Sequence, residues 1–227
     1  MDAFKVVKNT GYLKPTLNKK SKKDFGYENV SDATIWEEFK AGNENAFNYI
    51  YFVYYNLLFN YGHQFSLNRE LIKDVIQDLF IELRVRRQKL PPLRYSIKAY
   101  LLKIVRNKII RSKKLSFVYI SDDSEARGFE IELSAEDVMI QKEIDDTRRK
   151  KLNQAFEKLT ERQREILIYY YYEKLSYEEI TTIMNFSKIE HARVLVSRSI
   201  KKLKEEMNVS NECFFALLFI LSFYGRY

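Results

Sequence analysis

Cysteine occurs once in the 227 residues, as Cys213, which excludes an internal disulfide framework and any cluster of thiolate metal ligands. Histidine occurs only as His63 and His191, neither with a second ligand at metal-binding spacing. No metal and no cofactor is expected. Proline (three) and glycine (six) are scarce, which disfavours turn-rich sheet folds and points to an all-α chain. There is no glycine-rich phosphate loop and no nucleophile with a base beside it, so neither an enzyme nor a small-molecule substrate is expected. A secretory signal is also missing, because the basic N-terminus lacks an apolar core segment. The run Cys213 to Tyr224, apolar but for Ser222, has twelve residues, against the roughly 20 of a membrane span. The expectation is a cytoplasmic protein.

What the chain has instead is apolar bulk and unevenly placed charge. It is 46% hydrophobic and 15% aromatic, enough for buried cores, with a net charge of +8 that favours a polyanionic partner. Residues 1–30 carry seven lysines against Asp2, Asp24 and Glu28 and read as a basic tail. Helical periodicity begins near Ser31 with Trp36, Phe39, Ala46, Phe47, Ile50 and Tyr51, broken at Ala41-Gly42-Asn43. The aromatic stretch Tyr49 to Tyr61 reads as core. From Leu71 to about Arg87, Ile72, Val75, Ile76, Leu79 and Leu83 form an apolar stripe, and Asp74, Gln77, Asp78 and Glu82 a polar one. That acidic face suits a protein partner.

Between Leu83 and Ser121 there is no acid, yet twelve Lys or Arg residues lie from Arg84 to Lys114. Pro91-Pro92 forces an extended link, and a second amphipathic helix is expected from Tyr95 to Arg111. Its inner face carries Ile97, Tyr100, Leu101, Ile104 and Val105; its outer face carries Lys98, Arg106, Asn107 and Lys108, with Lys103 at the edge. Cations beside aromatics suit single-stranded or distorted nucleic acid, where phosphate is neutralised and rings stack on bases. Residues 121–146 reverse the sign, with ten acids against Arg127 and Lys142, and read as a linker with a helix restarting near Ser134.

Three capping-box pairs follow: Thr160 with Gln163, Ser176 with Glu179, and Ser187 with Glu190. They divide the segment into helices near 161–173, 177–184 and 188–206. A short middle helix, a tight turn at Asn185-Phe186-Ser187 and a last helix bearing Arg193, Arg198, Lys201, Lys202 and Lys204 make a helix-turn-helix. Ile180, Ile183, Met184, Ala192, Val196, Ser199 and Leu203 would pack it, leaving Lys188, His191, Arg193, Val194, Ser197 and Arg198 toward DNA.

Over about residues 32–205 the chain resembles the extracytoplasmic-function sigma factors, the small two-domain members of the sigma-70 family. Asp74-Val75-Ile76-Gln77-Asp78-Leu79-Phe80 is similar to the family's polymerase-clamp helix, and Tyr100-Leu101-Leu102-Lys103-Ile104-Val105-Arg106-Asn107 to its minus-ten segment. Leu159 to Leu167 and Leu175 to Ile180 resemble the start of the minus-thirty-five-binding domain. Arg84 stands where the family usually has Trp, and Thr160 where Pro is common. The turn before the recognition helix is one residue longer, so the register of its base-reading residues stays open by one position.

The resemblance implies two small helical domains, 31–115 and 146–207, joined by an acidic linker, 116–145, and followed by an apolar tail, 208–227. It implies that Asp74, Gln77 and Asp78 bind core RNA polymerase. It places Arg94, Tyr95, Lys98, Lys103, Arg106, Asn107, Lys108 and Arg111 on the melted downstream promoter element, and the last helix on the upstream duplex. An anti-sigma factor, membrane-bound in many similar factors, is the implied regulator, and no catalysis is implied. The competing reading is a stand-alone helix-turn-helix regulator that does not bind polymerase.

Overall fold

The computed structural model describes residues 21–119 and 154–207, with backbone alone for 113–119. The expectations placed on the rest of the basic tail, on the acidic linker from residue 120 and on the apolar tail lie outside the described residues. Among the described residues there are helices and no strand.

Helix α1 (Asp32–Ala41) starts at Ser31, whose hydroxyl accepts from the Thr34 N–H, and stops at Gly42. Gly42 has φ 98, a left-handed conformation that closes the helix and that a side chain would strain. Asn43 then caps α2 (Glu44–His63), so the Ala41-Gly42-Asn43 break is where periodicity puts it. Asn68 caps α3 (Arg69–Arg86), and Leu90 leaves it extended (ψ 141) ahead of the prolines. Helix α4 runs Ile97–Tyr119, starting two residues after the expected Tyr95 and continuing past Arg111. Ser96 sets its start: the hydroxyl accepts from the Ala99 N–H, while Asp32 Oδ2 accepts from the Ile97 N–H at 2.9 Å.

In the second half, α5 (Glu161–Leu167) continues as a π turn over Ile168–Tyr172 rather than as one α-helix to residue 173. The Glu173 N–H donates to the Ile168 carbonyl, five residues back, at 2.9 Å. Helices α6 (Tyr177–Ile183) and α7 (Ile189–Met207) complete the helix-turn-helix, with Asn185 left-handed in the turn (φ 53). The boxes at Thr160 and Ser176 both form. At the third site the helix begins one residue later than expected, and the Ser187 hydroxyl lies 3.2 Å from His191 Nδ1.

The chain is structured ahead of Ser31, and residues 21–30 are not simply tail. Tyr27 is buried edge-on to Tyr49, its hydroxyl donates to Glu38 at 2.7 Å, and Lys22 pairs with Asp32 at 3.1 Å. Aromatic contact with α2 outweighs the local lysine content.

One apolar cluster holds Trp36, Tyr49, Leu58, Ile76 and Leu101 together with Ile166, Tyr169, Ile180 and Val196. The two halves thus share a core across α4, α5 and α6. Gly62 marks the closest approach within the first half: a Cβ there would meet Ile72 Cγ2 at 2.6 Å and Ile109 Cδ1 at 3.4 Å. Helix propensity alone would reward Gly62→Ala by about 1 kcal/mol. Because Ile72 and Ile109 are fully buried and cannot swing away, we expect a net loss of about 1–2 kcal/mol instead. Urea denaturation followed by circular dichroism checks the sign.

Candidate functional site

On α3, the turn-by-turn alternation of the sequence produces two faces. Ile72, Val75, Ile76, Leu79 and Leu83 are buried, while Asp74, Gln77 and Asp78 are exposed on the opposite side. The exposed stripe continues through Ile81 (41% exposed) and Val85 (71%), at seven and eleven residues from Asp74. Those two residues were not singled out by periodicity, because an apolar residue on a polar face is invisible until the buried face is known. Exposed apolar side chains beside acids make a surface suited to burial against a protein. Arg84, at the position of the family's Trp, lies over the Phe47 ring at 5.0 Å and pairs with Glu44 at 2.8 Å.

On α7, Ala192, Val196, Ser199 and Leu203 are buried, as are Ile180, Ile183 and Met184 on α6 and its turn. The buried Ser199 hydroxyl is satisfied by the Leu195 carbonyl at 2.7 Å. Lys188, His191, Arg193, Val194, Ser197 and Arg198 are all exposed. Arg193 lies over the Tyr177 ring at 5.4 Å, and Arg162 over Phe186 at 4.7 Å, bracing the turn. This is the open face of a helix-turn-helix with cations on it.

The outer face of α4, read from the sequence as a cationic face for nucleic acid, has several of its cations paired within the chain. The acids missing from its own sequence come from other elements. Arg106 donates through Nε to Glu165 Oε1 and through Nη2 to Oε2 at 3.0 Å. Glu165 also accepts from the Tyr169 hydroxyl at 2.7 Å, and the Tyr61 and Tyr169 hydroxyls are hydrogen-bonded to each other. Lys98 Nζ meets Glu173 Oε2 at 2.6 Å and donates to the Glu173 carbonyl at 2.7 Å. The Ser96 hydroxyl donates to Glu179, and Lys108 pairs with Glu82 at 2.7 Å. Asn107, Arg111 and Arg94 are exposed, with Arg94 over the Tyr95 ring at 5.3 Å; Tyr95 and Lys103 are half-buried.

Electrostatics follow this burial. Loss of water pushes the Glu173 carboxyl above its usual range, and Lys98 pulls only part of the way back. Burial pushes the Tyr61 and Tyr169 hydroxyls well up, with the Glu165 charge acting in the same direction. Burial opposes the Arg106 charge, but Glu165 more than restores it and the guanidinium is held above its usual value. Both tyrosines are therefore neutral donors at neutral pH, and Arg106 is a cation with a fixed partner.

Two family models match the chain: sigma-70 region 2 over residues 50–114 and sigma-70 region 4 over residues 155–205. A solved structure, described as the co-crystal structure of the sigma factor RpoE in complex with the anti-sigma factor NepR from Bartonella quintana, is similar in fold. The likeness covers 73% of this chain and 98% of that one, at 22% identity and a TM-score of 0.55. No curated protein matches the chain. The chain belongs to the sigma-70 family. It is a sigma factor that pairs region 2 with region 4, the pattern of the extracytoplasmic-function members it resembles. Region 2 takes in α3 with its exposed acidic stripe and most of α4; region 4 takes in the helix-turn-helix. Among the described residues no helix is long and apolar enough to cross a membrane.

Proposed function

We propose that the protein binds core RNA polymerase through the α3 face of Asp74, Gln77 and Asp78, with Ile81 and Val85 completing the contact. Helix α7 enters the major groove of the upstream promoter element, and α4 with Arg94, Lys98, Arg106, Asn107 and Arg111 holds the downstream element as its strands part. The observation that carries this reading is the pairing, in one chain, of an exposed acidic and apolar stripe in region 2 with an exposed cationic recognition face in region 4. Extruding a base costs a few kcal/mol, which stacking and phosphate contacts offset. Nucleotide addition stays with the polymerase, so no catalytic residue is assigned here. An anti-sigma factor belongs to the proposal as regulator, because the similar solved structure holds one on its sigma factor.

Core-polymerase pull-down and run-off transcription test this: addition of the protein to core enzyme is expected to give promoter-dependent initiation. DNA binding without any binding to core would replace this reading with a stand-alone helix-turn-helix regulator.

Arg198 is exposed on α7, one residue beyond Ser197. With Arg198→Ala, DNA affinity is expected to fall across sequences, and the slope of log affinity against log salt to flatten by about one. Fluorescence anisotropy over a salt series reads both; an unchanged slope removes Arg198 from the phosphate contacts.

A further inference from the structure

We infer that Asp32 is a positioning residue for opening the downstream element: with Trp36 it fixes the link between α3 and α4 that carries Arg94 and Tyr95. Resting on the sigma-factor reading above, this gives a role in DNA opening to α1 and to residues 21–30. Both precede residue 50, where the region 2 match begins.

The link, residues 90–96, has no helix of its own, and Pro91 and Pro92 have no N–H to give. Leu90 and Leu93 pack on the core, while Arg94 is exposed and lies over the half-buried Tyr95 ring. Helix α1 grips both ends. Trp36 Nε1 donates to the Pro91 carbonyl at 3.0 Å, and Asp32 Oδ2 accepts from the Ile97 N–H at 2.9 Å. Asp32 and Trp36 stand four residues apart on one face of α1, so a single helix sets the span of the link. The Ile97 N–H lies in the first turn of α4 and has no partner within that helix, which leaves it open to a group from elsewhere.

Lys22 holds the other oxygen of the same carboxylate. Its Nζ donates to Asp32 Oδ1 and to the Val30 carbonyl, each at 3.1 Å. One oxygen of Asp32 is thus taken by α4 and one by the segment ahead of α1. That segment is anchored in turn: Phe25 is edge-on to Tyr49, and the Phe25 carbonyl accepts from Asn45 Nδ2 at 3.0 Å.

A held link bears on opening and not on folding alone. Groups already in place can capture a base as it leaves the stack, whereas ordering a loose link at that moment adds its entropy to the cost of unstacking. Arg94 and Tyr95 supply the cation and the ring that suit phosphate and an unpaired base. The hydrogen bonds of Asp32 go to Ile97 and Lys22, so it acts on both through the start of α4.

The test uses the full chain with core RNA polymerase on two forms of one run-off template. One is the duplex; the other has the downstream element premelted by mismatches. On the duplex, D32A is expected to lower the rate of initiation about tenfold. On the premelted form it is expected to stay within about twofold of wild type, because no base has to be unstacked. K22M keeps the bond from Asp32 to Ile97 but frees one carboxylate oxygen, and about a threefold loss on the duplex alone is expected. E37Q alters an exposed acid on the same helix, paired with Lys40, and is expected to match wild type on both.

Equal loss on the two templates overturns the positioning role, since a general loss of fold does not distinguish them. A duplex rate for D32A equal to that of E37Q overturns it as well. If circular dichroism shows that D32A has lost helicity, K22M alone decides. Initiation by the wild-type chain with D32A unaffected removes the positioning role alone, whereas no binding to core removes the sigma-factor reading.

Discussion

Exchanging Asp74 and Asp78 together for arginine is expected to weaken binding to core RNA polymerase by about a hundredfold or more. Like charges placed across an interface cost several kcal/mol, and a hundredfold is about 2.7 kcal/mol. Both side chains are exposed on the face of α3 opposite Ile72, Val75 and Ile76, so nothing in the core changes. Surface substitutions of this kind leave stability within about 0.5 kcal/mol each. The DNA affinity of the same variant, measured on the upstream duplex, is expected to stay near wild type, because α7 lies in the other region. Pull-down against core enzyme, a thermal melt and anisotropy on one preparation separate the cases. Parallel loss of core binding, melting temperature and DNA affinity would mean misfolding, and the α3 assignment would fall.

The second large effect is on stability. Trp36 is fully buried on α1, with Phe39 at 5.5 Å and Tyr100 at 4.8 Å between ring centres. Its indole N–H donates to the Pro91 carbonyl at 3.0 Å, tying the extended link before α4 to the first helix. Trp36→Ala leaves a cavity and removes the tie to Pro91, and a loss of about 3–5 kcal/mol is expected. Against a total of about 5–15 kcal/mol for a domain, that is a large share. Urea titration of the full chain gives the value; a loss below about 1 kcal/mol would mean that the site collapses onto the space. Trp36→Phe keeps most of the volume but not the donor, so its loss relative to wild type reports chiefly the tie to Pro91, and the further loss in Trp36→Ala reports the cavity.

Much of this fold is written locally. The apolar positions of α3 recur at 3.6-residue spacing, and Ile72, Val75, Ile76, Leu79 and Leu83 are all buried, with Phe80 beside them. The packing set of the helix-turn-helix follows the same rule, and the caps at Thr160 and Ser176 mark their helix starts because each bond is made within three residues. The polar contacts between the two halves have no such signature. Arg106 meets Glu165 and Lys98 meets Glu173 across 59 and 75 residues of sequence, and Tyr61 meets Tyr169 across 108. In the sequence Glu165 is an acid in a charged helix, with nothing to mark it as buried. An acid-free run such as the one in α4 shows that cations are gathered; whether water, nucleic acid or another part of the chain neutralises them depends on tertiary placement. Phe25 and Tyr27 were obscured for the same reason: their partners lie on α2, beyond a local run of lysines.

The π turn at Ile168–Tyr172 bears on how this chain is compared with others. A π turn takes one residue more than an α turn, so everything after it is rotated by about 100° relative to an uninterrupted helix. Glu173, whose own N–H closes that turn, faces Lys98 in this phase and not in the other. An alignment that allows no gap between Ile168 and Tyr172 would therefore set Glu173 against the wrong column in a relative whose helix is α throughout. The number of residues in the turn, rather than their identity, decides which side chain looks back at α4.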